Sequence, residues 1–213
     1  MARITKGILG GFSGKVGTIV GANWRGKDII RSIPTPSNRP PSEKQMLQQM
    51  KFRLVVSFLR PLGAIQKKYF GLNSGSKSRI NLAVSYTINE AVQMTADVPE
   101  LIYNKILITK GDLTGFQNIA AAPKTGNKIA LTWEDNTTQG NAAGTDQMTV
   151  ICYCEELGSF ALFQAAAERN ALTAEVTLPA YYAAKEMQVW AYLNTMEETI
   201  ACNSSYLGML TLI

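Results

Sequence analysis

Histidine does not occur in this chain, and cysteine occurs only three times in 213 residues. Without His the chain lacks the commonest general base, any Ser-His or Cys-His nucleophile pair of its own, and His-ligated zinc or haem. Long apolar runs are missing as well. None approaches the roughly 18 residues of a membrane span, and Met1-Ala2-Arg3-Ile4-Thr5-Lys6-Gly7 lacks the apolar core of a secretory signal. The expectation is a chain with no transmembrane segment and no cleavable leader, placed either in the cytoplasm or in an extracellular or virion-like assembly. Cys152 and Cys154 lie two apart in a strand pattern, where side chains share a face at the edge of bridging range, and Cys202 meets them only if its strand is a neighbour. Three buried free thiols are expected, with no metal site and no cofactor.

Hydrophobic residues make up 46% of the chain and charged residues 17%, enough for a folded core and against disorder throughout. The net charge of +5 conceals a split at Arg79. Residues 1–79 hold 15 Lys and Arg against Asp28 and Glu43, whereas residues 80–213 hold 6 against 14 Asp and Glu, so the halves carry +13 and −8. A basic half suits nucleic acid or another phosphate-rich surface, and a chain with one basic and one acidic half also suits copies of itself.

Seven glycines, at positions 7, 10, 11, 14, 17, 21 and 26, punctuate short β-favouring runs. Val16–Val20 and Asp28–Ile33 read as two strands joined through Trp24-Arg25-Gly26-Lys27. Pro34, Pro36, Pro40 and Pro41 then favour an extended linker. Ser42 and Gln45 fit a capping box, and Leu47, Met50, Leu54, Phe58, Leu62, Ile65 and Tyr69 form a helical stripe kinked at Pro61. After the polar break at residues 71–76, Ile80, Val84, Ile88 and Ala91 predict a shorter helix turning back.

From residue 102 the pattern changes to short strands: Tyr103–Thr109, Gln117–Ala121, Lys128–Glu134, Gln147–Cys154, Phe160–Gln164, Ala174–Leu178, Met187–Asn194, and Ile200–Leu212 broken near Gly208. Their number and spacing predict a β-sandwich. Alternation in Lys128–Glu134 puts Ile129, Leu131 and Trp133 on one face, with Trp133 expected inside the sandwich near Tyr192. Trp133 in an early strand, Leu178-Pro179 before a turn, and Val189-Trp190-Ala191-Tyr192 resemble the core pattern of fibronectin type III and related immunoglobulin-like domains.

A narrower resemblance runs through Lys6-Gly7-Ile8-Leu9-Gly10-Gly11-Phe12-Ser13-Gly14-Lys15-Val16-Gly17, Val20-Gly21-Ala22-Asn23-Trp24-Arg25-Gly26, Arg31-Ser32-Ile33-Pro34 and Ser204-Ser205-Tyr206-Leu207-Gly208. Together these are similar to a bacterial family of unknown function of about this length. The resemblance covers the whole chain and implies no catalytic residues.

No motif in the chain supports catalysis. Gly21-Ala22-Asn23-Trp24-Arg25-Gly26-Lys27 matches the first seven positions of a phosphate-binding loop, but Asp28 stands where a magnesium-binding hydroxyl is required and a strand follows instead of a helix. Glu155-Glu156 and Glu197-Glu198 fall in expected turns, where adjacent carboxylates are not set to straddle a bond. Trp24 among Lys15, Arg25, Lys27, Arg31 and Arg39 could hold a polyanion, with the ring stacking on a base. Surface charge is the ordinary reading of each cation alone.

The sequence therefore predicts an α+β protein in three segments. Residues 1–41 form a Gly/Pro-rich β arm and hairpin, 42–100 a helical hairpin, and 101–213 an immunoglobulin-like or fibronectin type III-like β-sandwich. The expected role is a non-enzymatic structural subunit that assembles with copies of itself into a filament, appendage or phage-like particle. Lys15, Trp24, Arg25, Lys27, Arg31 and Arg39 are the expected contacts, and Glu134, Asp135, Glu155, Glu156, Glu197 and Glu198 the expected acidic partner surface. An accessory nucleic-acid-binding protein using the basic half is the alternative.

Overall fold

Glycine turns cut the N-terminal segment into a meander of four antiparallel strands, β1 (Arg3–Ile4), β2 (Phe12–Val16), β3 (Ile19–Trp24) and β4 (Lys27–Ser32), in that spatial order. The computed structural model describes residues 3–4, 10–24, 26–35, 40–73 and 77–213. Gly17, at φ +57°, turns the chain between β2 and β3, so Val16 and Ile19–Val20 belong to two strands and not to one. Gly26, at φ +82°, turns it again between β3 and β4. The expected hairpin is thus β3–β4, extended by β2 and the short β1.

The helices begin where the capping box places them. The Ser42 amide donates to Gln45 Oε1 at 3.0 Å and the Gln45 amide to Ser42 Oγ at 3.4 Å, ahead of α1 (Glu43–Leu59). Pro61 lacks an amide, and the chain tightens there into a 3-10 turn, Arg60–Leu62, before α2 (Gly63–Tyr69). Burial starts at Val55 and continues through Phe58, Leu59, Leu62, Ile65 and Tyr69, whereas Met46, Met50 and Phe52 stay exposed. In α3 (Arg79–Glu90) the deepest positions are Ala83 and Thr87; of the expected stripe, Ala91 is buried, Val84 and Ile88 pack half-buried against the core, and Ile80 is exposed.

A hairpin follows that the sequence does not announce, β5 (Val92–Thr95) and β6 (Val98–Leu101). Its turn residues Ala96 and Asp97 both have positive φ, a geometry that Asn-Gly or Gly-Gly would have advertised. The segment expected as helical therefore ends in strands at 92–101. The predicted strand Tyr103–Thr109 is also absent. Tyr103–Lys105 is a 3-10 turn, and the next residues are held by side chains instead of a ladder. Ser204 Oγ accepts from the Ile108 amide at 2.8 Å, and Thr109 Oγ1 donates to the Cys202 carbonyl at 2.8 Å.

Seven strands then build two sheets. One has the order β11-β8-β7, from β7 (Gln117–Lys124), β8 (Lys128–Glu134) and β11 (Thr173–Thr177). The other has the order β10-β9-β12-β13, from β9 (Gln147–Cys154), β10 (Ser159–Glu168), β12 (Glu186–Asn194) and β13 (Ser205–Thr211). Every pair is antiparallel, and the connections β8–β9, β10–β11 and β11–β12 cross between sheets. Three strands against four, with β10 paired to β9, is the fibronectin type III form of the immunoglobulin-like sandwich. At Gly208, φ +103°, the β12–β13 register shifts.

Both faces of the central strands β9 and β12 are buried. Register places Met148, Val150, Cys152 and Cys154 beside Leu193, Ala191, Val189 and Met187 on the face toward β8, which contributes Ile129, Leu131 and Trp133. The opposite face carries Ile151, Tyr153, Trp190 and Tyr192, and the helical segment covers it. Phe58 meets Tyr153 at 5.0 Å and Trp190 at 6.3 Å between ring centroids, and Tyr69 meets Tyr192 at 5.9 Å. Trp133 is in the core as expected, but its aromatic neighbour is Phe116 at 5.5 Å and not Tyr192, which has the parity of the helix-covered face. By packing, the chain separates into two units, Met1–Met46 with Asn73–Lys77, and Leu47–Leu72 with Ser78–Ile213. The molecule is α+β and mostly β.

Candidate functional site

Register decides which of the expected contact residues can act together. In the N-terminal meander Lys15 pairs with Val20, Val20 with Arg31, and Trp24 with Lys27. Val20 and Trp24 are four residues apart on β3, so all four expected residues within the described strands, Lys15, Trp24, Lys27 and Arg31, lie on one face. All four are exposed, Trp24 to 57%. Arg25 and Arg39 lie outside the described residues, as do Lys6–Leu9 of the N-terminal motif.

The other face of the same sheet carries exposed apolar side chains, with Asn23, Asp28 and Ser32 as its polar members. Val16 pairs with Ile19, and Gly21, two residues on, pairs with Ile30; Val16, Ile19 and Ile30 are 50%, 38% and 66% exposed. Gly21 is buried because the Phe12 ring and carbonyl lie against it, and a Cβ there would stand 2.1 Å from the Phe12 oxygen. Two side chains brace the β3–β4 turn: Asn23 Nδ2 donates to Asp28 Oδ1 at 2.9 Å, and the Gly26 amide donates to Asn23 Oδ1 at 3.0 Å. The stretch that matched a phosphate-binding loop is therefore this turn, with strand on both sides of it.

The six expected acidic residues do not gather on one surface. Glu134 ends β8 and Asp135 follows it, ahead of β9, and Glu197 and Glu198 follow β12, whose last residue Asn194 pairs with Gln147, the first of β9. Glu155 and Glu156 follow Cys154, the last residue of β9, and so lie at the opposite end of the sandwich. Several are already engaged. Glu134 accepts from Gln117 Nε2 at 3.0 Å, and Glu156 pairs with Lys185 at 2.5 Å. Glu198 pairs with Lys68, which raises the lysine pKa. Asp135 accepts the Thr137 amide at 3.0 Å, and that bond holds its carboxyl below the usual range.

Glu155 has a different setting. It borders a cleft of about 510 Å³ lined by Leu54 and Phe58 of α1, Glu100 of β6, Tyr103, and Tyr153 and Phe160 at the β9–β10 hairpin. The rings form one cluster: Phe58 to Tyr153 at 5.0 Å, Phe58 to Phe160 at 5.2 Å, Tyr153 to Phe160 at 4.6 Å, and Tyr103 to Tyr153 at 6.0 Å. Burial first, and then the Glu155 charge, push the Tyr103 and Tyr153 phenols upward, so both stay protonated at neutral pH. The sequence gives no local sign of this cluster, whose members come from separate stretches of the chain.

The polar centre of the sandwich is structural. Arg169 and Asp146 are wholly buried and paired at 3.0 Å. All five guanidinium hydrogens are used, on Asp146, Asn136 and the carbonyls of Thr114 and Gly115. Cys152, Cys154 and Cys202 are free and buried, and burial raises the thiols of Cys152 to about 12 and Cys202 to about 11. Among the described residues no three His, Cys, Asp or Glu are grouped to hold a metal, and no helix is long and apolar enough to cross a membrane.

Among solved structures, the chain is similar to the FN5 domain of Drosophila Lar, with 12% identity and a TM-score of 0.33 over 46% of this chain and 92% of that one. It is also similar to the fn3 domain of human collagen alpha-1(XX) chain, with 15% identity and a TM-score of 0.34 over 47% and 87%. No curated protein matches it. A family model described as a family of unknown function, DUF6266, matches residues 11–208, and the chain belongs to that family.

Proposed function

We propose that this protein is a non-enzymatic structural subunit that assembles with copies of itself through its N-terminal meander. The observation that carries this reading is the open apolar face of β2–β4, where Val16, Ile19 and Ile30 are left substantially exposed. A sheet with an apolar face gains stability by covering that face against another layer. The outer edge of β4 is also free of any described strand and offers unpaired amides and carbonyls for augmentation. A repeating subunit of a filament, appendage or phage-like particle has use for such a surface.

One substituted variant and one truncation, compared with wild type, test the reading by light scattering. Wild type is expected to form multimers, and Ile19→Asn/Ile30→Asn is expected to reduce their size with the sandwich melting transition retained. A chain lacking residues 1–40 should behave likewise and keep a β-type circular dichroism spectrum. Unchanged particle size in both variants overturns the proposal.

The alternative, an accessory nucleic-acid-binding protein, draws on the other face, where Lys27 pairs with Trp24 and Lys15 and Arg31 lie further along the same face. Cations beside an aromatic ring suit a single-stranded backbone and its bases. Fluorescence anisotropy with a mixed-sequence single strand decides it: saturation at low micromolar concentration that Arg31→Gln weakens would reverse the ranking.

A further inference from the structure

We propose that the aromatic cleft between α1 and the β9–β10 hairpin is a receptor for a Lys or Arg side chain from the basic meander face of a second copy. The inference rests on the assembly reading above and adds to it the acceptor surface. Four rings, Phe58, Tyr103, Tyr153 and Phe160, crowd the cleft within about 5–6 Å of one another. The last three are only half-buried, so they keep surface open to an incoming group. Aromatic faces attract cations through the ring quadrupole, and the attraction grows when the cation is partly desolvated.

Two carboxylates border the same cleft, Glu100 and Glu155, and neither takes part in an ion pair among the described residues. Glu155 also borders a smaller pocket with Glu156, Glu186 and Lys185, and that lysine is paired with Glu156. Glu100 accepts from Thr95 Oγ1 at 2.9 Å and Gln93 Nε2 at 3.5 Å. The cleft thus combines ring faces with negative charge and has no described cation of its own. Asp112 lines a separate cleft of about 330 Å³ in the company of Lys68, Arg79 and Lys110, so that pocket has the opposite character.

The chain itself supplies the complementary chemistry. Lys15, Lys27 and Arg31 project from one exposed face of the meander, in a half that carries +13 against the −8 of the remainder. Joining two different surfaces of identical chains makes the contact heterologous, so each copy donates one cation face and receives another.

Charge reversal on the full-length protein tests the inference by sedimentation velocity at fixed moderate salt. Glu100→Lys/Glu155→Lys should weaken self-association about tenfold or more, the scale expected for losing cation–π and ionic contacts together. Lys27→Glu/Arg31→Glu should do the same, and mixing the two variants should restore association between them. The milder Glu100→Gln/Glu155→Gln should weaken association with an unchanged melting temperature, which separates loss of charge from loss of fold. If the Ile19→Asn/Ile30→Asn variant loses assembly while both cleft variants assemble as wild type, the meander drives association and the cleft is not its acceptor. If the cleft variants weaken association but the meander reversal does not, the cleft receives something other than the meander. Failure of the mixed pair to associate, with each variant folded, also overturns the proposal.

Discussion

Replacing Arg169 by Met should cost the protein about 3–5 kcal/mol, the usual consequence of removing one partner from a buried ion pair. The magnitude follows from what remains. Asp146 is 1% exposed, and without Arg169 its Oδ2 would keep the Ala143 amide at 2.9 Å. The carbonyls of Thr114 and Gly115 and the amide oxygen of Asn136 would each lose a charged donor. Met fills much of the Arg volume, so the cost is electrostatic and not a cavity. Urea unfolding followed by tryptophan fluorescence is a suitable assay, because Trp133 donates its indole hydrogen to the Arg169 carbonyl at 2.7 Å. With a slope of about 2 kcal/mol per molar urea, the midpoint should fall by roughly 2 M. Arg169→Met/Asp146→Asn should recover part of the loss, since no uncompensated charge is then buried. A single variant costing less than about 1 kcal/mol, or a double variant that recovers nothing, would refute the reasoning.

Phe58→Ala should destabilise by about 3–5 kcal/mol, because it empties the contact between the helical segment and Trp190, Tyr153 and Phe160; thermal melting of the full chain measures it. Gly21→Ala should disrupt the meander, since the added Cβ meets the Phe12 backbone oxygen at 2.1 Å, and should reduce particle size in light scattering while leaving the sandwich transition in place. Alkaline pH should destabilise the fold progressively. Burial raises Cys152, Cys202 and Tyr192 in the folded chain to about 12, 11 and 12, so their contribution is complete below the ordinary values near 9 and 10 and is lost as pH rises through the folded values. Melting temperatures measured from pH 8 upward check this; a flat profile would contradict it.

How far the fold can be read from the sequence depends on where each element finds its hydrogen-bond and packing partners. Lys128–Glu134 and Gln147–Cys154 have the predicted bounds because apolar periodicity and turn residues coincide at both ends. Residues 103–109 carry the β-favouring run Ile106-Leu107-Ile108, yet distant side chains, Ser204 above all, satisfy their backbone, and no local pattern encodes that. The run Met187–Leu193 is apolar on both faces except at Gln188, the pattern of a strand covered on both sides. Arg169 and Asp146 are 23 positions apart, so no local pattern encodes their pair. The cations near Trp24 stand out in the sequence, but that Lys15, Trp24, Lys27 and Arg31 share one face follows only from the strand register. The carboxylates share no such face, since the length of β9 separates residues that are adjacent only in charge. The aromatic cleft draws on α1, β6 and two sandwich strands, so only the folded chain assembles it.

The two units differ in how they treat exposed sheet, and that difference sets what association can look like. The sandwich buries both faces of β9 and β12, one against its second sheet and one under α1 and α2, and its interior is complete within one chain. The meander has cations on one face and exposed Val16, Ile19 and Ile30 on the other. Two routes to cover it have different symmetry. Pairing β4 edge to β4 edge, or apolar face to apolar face, brings identical surfaces together about a two-fold axis and stops at a dimer. A meander docked on another copy's aromatic cleft joins unlike surfaces, leaves one of each unused at the two ends, and continues until the rotation closes a ring or a filament grows. The size distribution at rising concentration therefore discriminates between them. A single dimer boundary in sedimentation velocity points to self-complementary packing of the meander, whereas a ladder of species sensitive to Glu100 and Glu155 points to donor and acceptor surfaces in series.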